Sequence, residues 1–180
     1  MGLEHLTTTP ISQGADRNGC WAASFAWWLQ AVLKKDYSFA DVLQMYKKWT
    51  NYKGGENADG FGAMTDIGVR FMFNDMRFRI VGEHSDSGKL VVKRANELLN
   101  ISPVLIAYYE PAVDGYHMNV LVSQVNSENL KDDMFVMDPA NESFQVRKLD
   151  YYKRYNKAIY LGYYLRQAPS DQPFIPYELN

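Results

Sequence analysis

Cysteine is almost missing from this chain: Cys20 stands alone among 180 residues. A lone thiol cannot close an internal disulfide, nor supply the several thiolates of a structural zinc site. That usage predicts a cytoplasmic protein, or one exported without a cleavable signal peptide. Charge of one sign is scarce as well. A formal net charge of −2 gives no electrostatic reason to expect nucleic acid or an acidic membrane as partner. No apolar run nears the roughly 20 residues that span a bilayer. Residues 1–10 lack the cationic start and apolar stretch of a secretory signal, and Leu6 stands where an N-myristoylation site wants Ser or Thr. Internal repeats and low-complexity tracts are also lacking, and nothing in the sequence asks for a metal or an organic cofactor.

Apolar residues are plentiful, at 47% of the chain with 14% aromatic, which is ample for a packed core and excludes a disordered chain. Residues 1–11 read as an extended lead-in. From Cys20, Trp21, Phe25, Trp28 and Val32 recur at the spacing of one helix face. The helix is predicted to end near Lys34-Lys35, whose charges suit a helix C-terminus. Ser38-Phe39-Ala40-Asp41 has the form of a capping box opening a second helix. The glycine-rich stretch Asn51–Gly62 reads as a long loop, of the kind that often faces substrate. A third helix is expected over Thr65–Met76, a short strand at Phe78–Val81 ended by Gly82, and a fourth helix over Lys89–Leu99.

The period then changes. Val104–Tyr109, Tyr116–Val125, Met134–Asp138, Phe144–Leu149 and Lys157–Leu165 read as strands by their β-branched and aromatic content, with a turn near Asp150–Tyr155. The prediction is an α+β fold in one domain over 1–166: a helical lobe at about 12–100 packed on an antiparallel sheet or half-barrel at about 101–166. The Pro-containing segment 167–180 is read as an irregular tail.

The only thiol follows the Asn18-Gly19 turn signal and opens a helix, where unpaired backbone N–H groups favour a thiolate. A cysteine nucleophile needs a base and a group that orients the base. Of three histidines, His5 and His84 lie in polar surroundings and read as solvated. His117 opens an apolar strand directly after the Asp114-Gly115 turn. A hairpin centred between Ser127 and Glu128 sets His117 opposite Asp138, whose carboxylate would fix the imidazole tautomer. Asn119 is a fallback polar partner. The backbone N–H of Cys20 with the amide of Gln13, seven residues earlier, would hold an oxyanion.

Each residue also has a plainer reading. Cys20 doubles as a small buried apolar residue, His117 as a core histidine at a strand end, Asp138-Pro139 as a turn former, and Gln13 as a loop residue. Trp21, Trp27 and Trp28 read as core.

A Gln, then Gly-Cys-Trp-Ala-Ala-Ser opening a helix, then Gly-Tyr-His at a strand start, then Asp-Pro ending the next strand, resembles the papain-like cysteine peptidase superfamily. The likeness is greatest to its bacterial branches, the C39-like peptidases and the AvrRpt2-like effector proteases, and it covers roughly residues 13–152. It implies a helical lobe carrying the cysteine, a β lobe carrying His and Asp or Asn, and a protein or peptide substrate bound in the cleft between. By position it makes Cys20 the nucleophile, His117 the base, Asp138 the orienting residue and Gln13 the oxyanion glutamine; an effector or a toxin domain is the expected setting. The chain departs from plant-type members in having no cysteine pair to bridge, and its glutamine stands slightly further from the cysteine than is usual. The same triad would also serve deamidation, transglutamination or cell-wall amide hydrolysis, and a catalytically inactive binding domain would keep the same fold.

Overall fold

A computed structural model describes residues 3–14, 18–50, 64–85, 92–111, 114–125, 133–153 and 157–165. The expected loop Asn51–Gly62, the hairpin turn over 126–132, the predicted start of the fourth helix and the tail 167–180 lie outside them.

Four helices are described: α1 (Cys20–Leu33), α2 (Phe39–Tyr46), α3 (Asp66–Phe73) and α4 (Val92–Leu99). The Ser38 capping box forms at α2: Ser38 Oγ accepts from the Asp41 N–H and the Asp41 carboxylate accepts from the Ser38 N–H. Six strands, β1 (Ile80–Ser85), β2 (Val104–Glu110), β3 (Gly115–Gln124), β4 (Asp133–Asp138), β5 (Ser143–Lys148) and β6 (Ile159–Tyr164), join one sheet in the order β1-β6-β2-β3-β4-β5. Every neighbouring pair is antiparallel. The architecture is thus an α+β, papain-like one, with the cysteine in the N-terminal helical region.

Two local expectations are corrected. The lead-in is not extended, because Leu3–Thr7 forms a 3-10 turn. His5 is drawn in with it, placing Nδ1 3.2 Å from the Ala31 carbonyl at the end of α1. Nor does Gly82 end its strand. It faces Gly162 directly across the β1–β6 ladder, and the Phe73 ring lies over the pair. A Cβ at Gly82 would come within 2.9 Å of Phe73 Cβ, and one at Gly162 within 2.9 Å of Phe73 Cγ. Here glycine continues the strand because an aromatic residue of α3 occupies the space its side chain would need.

Period-2 alternation divides the sheet between two cores. One face, with Leu105, Ala107, Met118, Val120 and Met137, packs on α1, α2 and α3 around Trp21, Phe25 and Trp28. The other, with Ile106, Tyr108, Leu121 and Val136, packs on Ala95 and Leu98 of α4 and on Tyr152 of the 3-10 turn Leu149–Lys153. α1 runs along β3. Ser24 Oγ donates to the Met118 carbonyl at 2.9 Å, and Trp28 Nε1 donates to the Pro103 carbonyl, also at 2.9 Å.

Candidate active site

The Ser24–Met118 bond sets the level of the cysteine. Cys20 lies one helical turn before Ser24, about 6 Å back along the axis. Two strand residues cover about the same length, so Cys20 stands level with the start of β3, where Tyr116 and His117 lie. Its helix begins at Gly19 with no side-chain cap and no acidic residue in the first turn. The positive end of the helix is therefore left to act on the thiol. Cys20 itself is 3% exposed.

Gln13 is tied to the same end of the sheet. Its backbone N–H donates to the Pro139 carbonyl at 3.1 Å, which anchors the segment before α1 next to Asp138 at the end of β4. Thr50 and Met64, which flank residues 51–63, bridge each other, and Met64 also bridges Tyr116.

The register between β3 and β4 differs from the expected one. Val120 faces Met137 and Leu121 faces Val136, so the ladder continues with Asn119, not His117, opposite Asp138. Two effects oppose each other. The ladder pairs Gln124 with Met134, three positions from the expected register. A bulge between Leu121 and Ser123 adds one residue to β3 and takes one of those three back. A shift of two positions keeps the face. His117 and Asp138 stay on the same side of the sheet as diagonal neighbours, a separation of roughly 7–8 Å. The Asp138 hydrogen bonds go to the Ala140 N–H at 3.1 Å, Asn141 Nδ2 at 2.7 Å and an Arg147 guanidinium NH2, and its effect on the imidazole is that of a charge.

His117 is otherwise surrounded by β2. Tyr108 faces it directly, with ring centroids 6.2 Å apart, and Glu110 is the diagonal neighbour on that side. Burial holds the His117 pKa below the ordinary imidazole value, the nearby carboxylates of Glu110 and then Asp138 push it up, and Arg147 pushes it down. Burial also raises the Tyr108 phenol far above its usual range. Tyr151, Tyr152 and Cys20 are among the titratable groups near that phenol. Asn119 is 2% exposed and its Nδ2 finds no hydrogen-bond partner among the described residues.

Cys20, His117, Asp138 and Gln13 thus lie toward one end of one sheet in four separate segments, with the His117 and Asp138 positions on the face shared with Tyr108 and α1 packed on the other face. Arg147 and Glu110 are the charged neighbours that sequence reasoning missed. Strand register alone, had it been known, would have placed Glu110 beside His117. Among the described residues no cluster of three or more His, Cys, Asp or Glu is placed to hold a metal, and no helix is long and apolar enough to cross a membrane.

Comparison with known proteins gives one family. The family model described as papain-like cysteine protease AvrRpt2 matches residues 4–157, well over half of the chain. No match was found among curated proteins.

Proposed function

The chain belongs to the family of the papain-like cysteine protease AvrRpt2 and is a cysteine peptidase, and we propose that Cys20, His117 and Asp138 form its triad with Gln13 as oxyanion donor. The Cys20 thiolate attacks the carbonyl carbon of a peptide bond, and the resulting oxyanion is held by the Cys20 N–H and the Gln13 amide. The carbon–nitrogen bond breaks as protonated His117 gives its proton to the leaving amine, which leaves a thioester. Neutral His117 then takes a proton from water, the hydroxide attacks the thioester, and the thiol is released. Asp138 favours the imidazolium through its charge.

The observation that carries the reading is the tie from Ser24 to the Met118 carbonyl, because it fixes the start of α1 at the level of His117. Incubating a protein mixture with the wild type and with Cys20→Ala, and reading new peptide ends by mass spectrometry, tests it. New ends with the wild type alone are expected. Equal cleavage by both overturns the role of Cys20, and a one-dalton gain on side-chain amides without cleavage overturns peptide hydrolysis as the reaction.

A further inference from the structure

Arg147 is a cation on the edge strand β5 whose side chain is only 16% exposed. Its guanidinium pairs with Asp138, whose own side chain is 4% exposed, and it lies 4.5 Å from the centroid of the Tyr151 ring. Burying two charges costs several kcal/mol per ion, and their attraction repays it only when geometry and hydrogen bonds are good. Asp138 meets that condition with its three donors: the Ala140 N–H, Asn141 Nδ2 and Arg147.

The same pair bears on His117. On β2 Tyr108 stands opposite His117 with Glu110 diagonal to it, Asp138 is the diagonal neighbour on β4, and Arg147 of β5 acts on the imidazole through its charge. Behind Tyr108 stand Tyr151 and Tyr152, with ring centroids 5.8 and 5.0 Å from its own, and the titratable group that α1 brings near Tyr108 is Cys20. Two carboxylates favour the imidazolium. The one guanidinium in the group holds the carboxylate of Asp138 and opposes its effect.

We propose that Arg147 is a positioning residue of the peptidase: by fixing the Asp138 carboxylate and offsetting its charge, it sets the pH at which His117 exchanges its proton. The inference rests on the triad reading above. Removing the guanidinium leaves the Asp138 carboxylate its bonds from the Ala140 N–H and Asn141 Nδ2 and takes away the opposing positive charge, which favours the imidazolium.

The test is an NMR titration of the His117 ring in a Cys20→Ala background, paired with the pH profile of kcat/KM in the Cys20 enzyme. Arg147→Met is expected to raise the His117 midpoint by about one pH unit and to carry the alkaline limb of the profile up with it. Arg147→Lys, which keeps the charge, is expected to return both toward the wild type. Arg147→Gln keeps a donor to Asp138 without the charge and gives the same upward movement, so it decides the matter if the Met variant does not fold. Glu110→Gln is expected to move the midpoint the opposite way. An unchanged midpoint in both the Gln and Met variants, or one in the Gln variant alone if the Met variant is unfolded, overturns the inference. So does loss of activity at every pH with no movement of the alkaline limb, the result expected if Arg147 only holds the edge strand. The triad reading fails separately, by retained turnover in His117→Ala.

Discussion

A half-buried imidazole beside two carboxylates and a guanidinium ties the stability of this protein to pH. The unfolded chain takes up a proton on histidine as pH falls through about 6.5. Folded His117, its pKa lowered chiefly by burial, resists until the pH is lower. Over that interval the folded state binds fewer protons than the unfolded one, so stability rises with pH and is lost as pH falls. The thermal midpoint of Cys20→Ala is therefore expected to drop more between about pH 7.5 and 5.5 than that of Cys20→Ala with His117→Gln. Parallel slopes would show that His117 is not the group responsible. Asp138 carries a different cost. Asp138→Ala leaves the Arg147 guanidinium buried without its partner, which should destabilise the fold by about 3 kcal/mol in denaturant titrations. Its activity must therefore be read on the folded fraction, and Asp138→Asn, whose single amide oxygen can still accept from Asn141 and Arg147, is the milder variant. Denaturation midpoints that match for Asn, Ala and wild type would refute the buried-pair argument.

Elements place these side chains, and the joints between elements are where substitutions should tell. Ser24→Ala removes the donor to the Met118 carbonyl, an interaction worth about 1 kcal/mol, and frees the start of α1 from β3. A fall in kcat/KM larger than the loss of stability explains is expected, and unchanged kinetics would show that the level of Cys20 is held by other contacts. Gly162→Ala forces a Cβ against the Phe73 ring, and overpacking of this kind costs about 1–3 kcal/mol. The helices and strands themselves were legible. Trp21, Phe25 and Trp28 keep the helical period through α1, Ser38 and Asp41 announce α2, and β-branched and aromatic runs mark β2, β3 and β6. What could not be read is register. The bulge between Leu121 and Ser123 has no glycine to announce it, and a shift of two positions turned an opposed His117–Asp138 pair into a diagonal one. Cys20 drew attention as the only thiol and His117 by following a turn, whereas Arg147 was hidden by inverted polarity. On β5 Val146 is 49% exposed while Arg147 points inward, the reverse of the usual alternation. Inward charges are one way an edge strand avoids pairing with another chain. Only the contact with Asp138 gives this one a second meaning.

Across the molecule, one sheet is shared by two cores, and alternate residues of β2 belong to each: Leu105 and Ala107 to the α1 side, Val104, Ile106 and Tyr108 to the α4 side. β3 is divided in the same way, with Met118 and Val120 on one side and Leu121 on the other. Separating the helical part from the sheet would expose one face of β2 and β3 and leave the other without the rigid backbone it packs on. Neither core should therefore survive alone, and helices and sheet are expected to unfold together. The chain supplies its own probes. All four tryptophans, Trp21, Trp27, Trp28 and Trp49, precede the first strand, and Trp21, Trp27 and Trp28 are fully buried in the α1 core, so indole fluorescence reports on the helical side. Backbone amide exchange in Ile106, Leu121 and Val136, whose side chains face α4, reports on the far side of the sheet. In a urea titration the two are expected to change over one concentration range, as a two-state transition requires. If indole fluorescence changed at a concentration where those amides stayed protected, the helical side would be a separate folding unit, and the alignment of Cys20 with His117 would depend on the docking of two bodies instead of on one shared sheet.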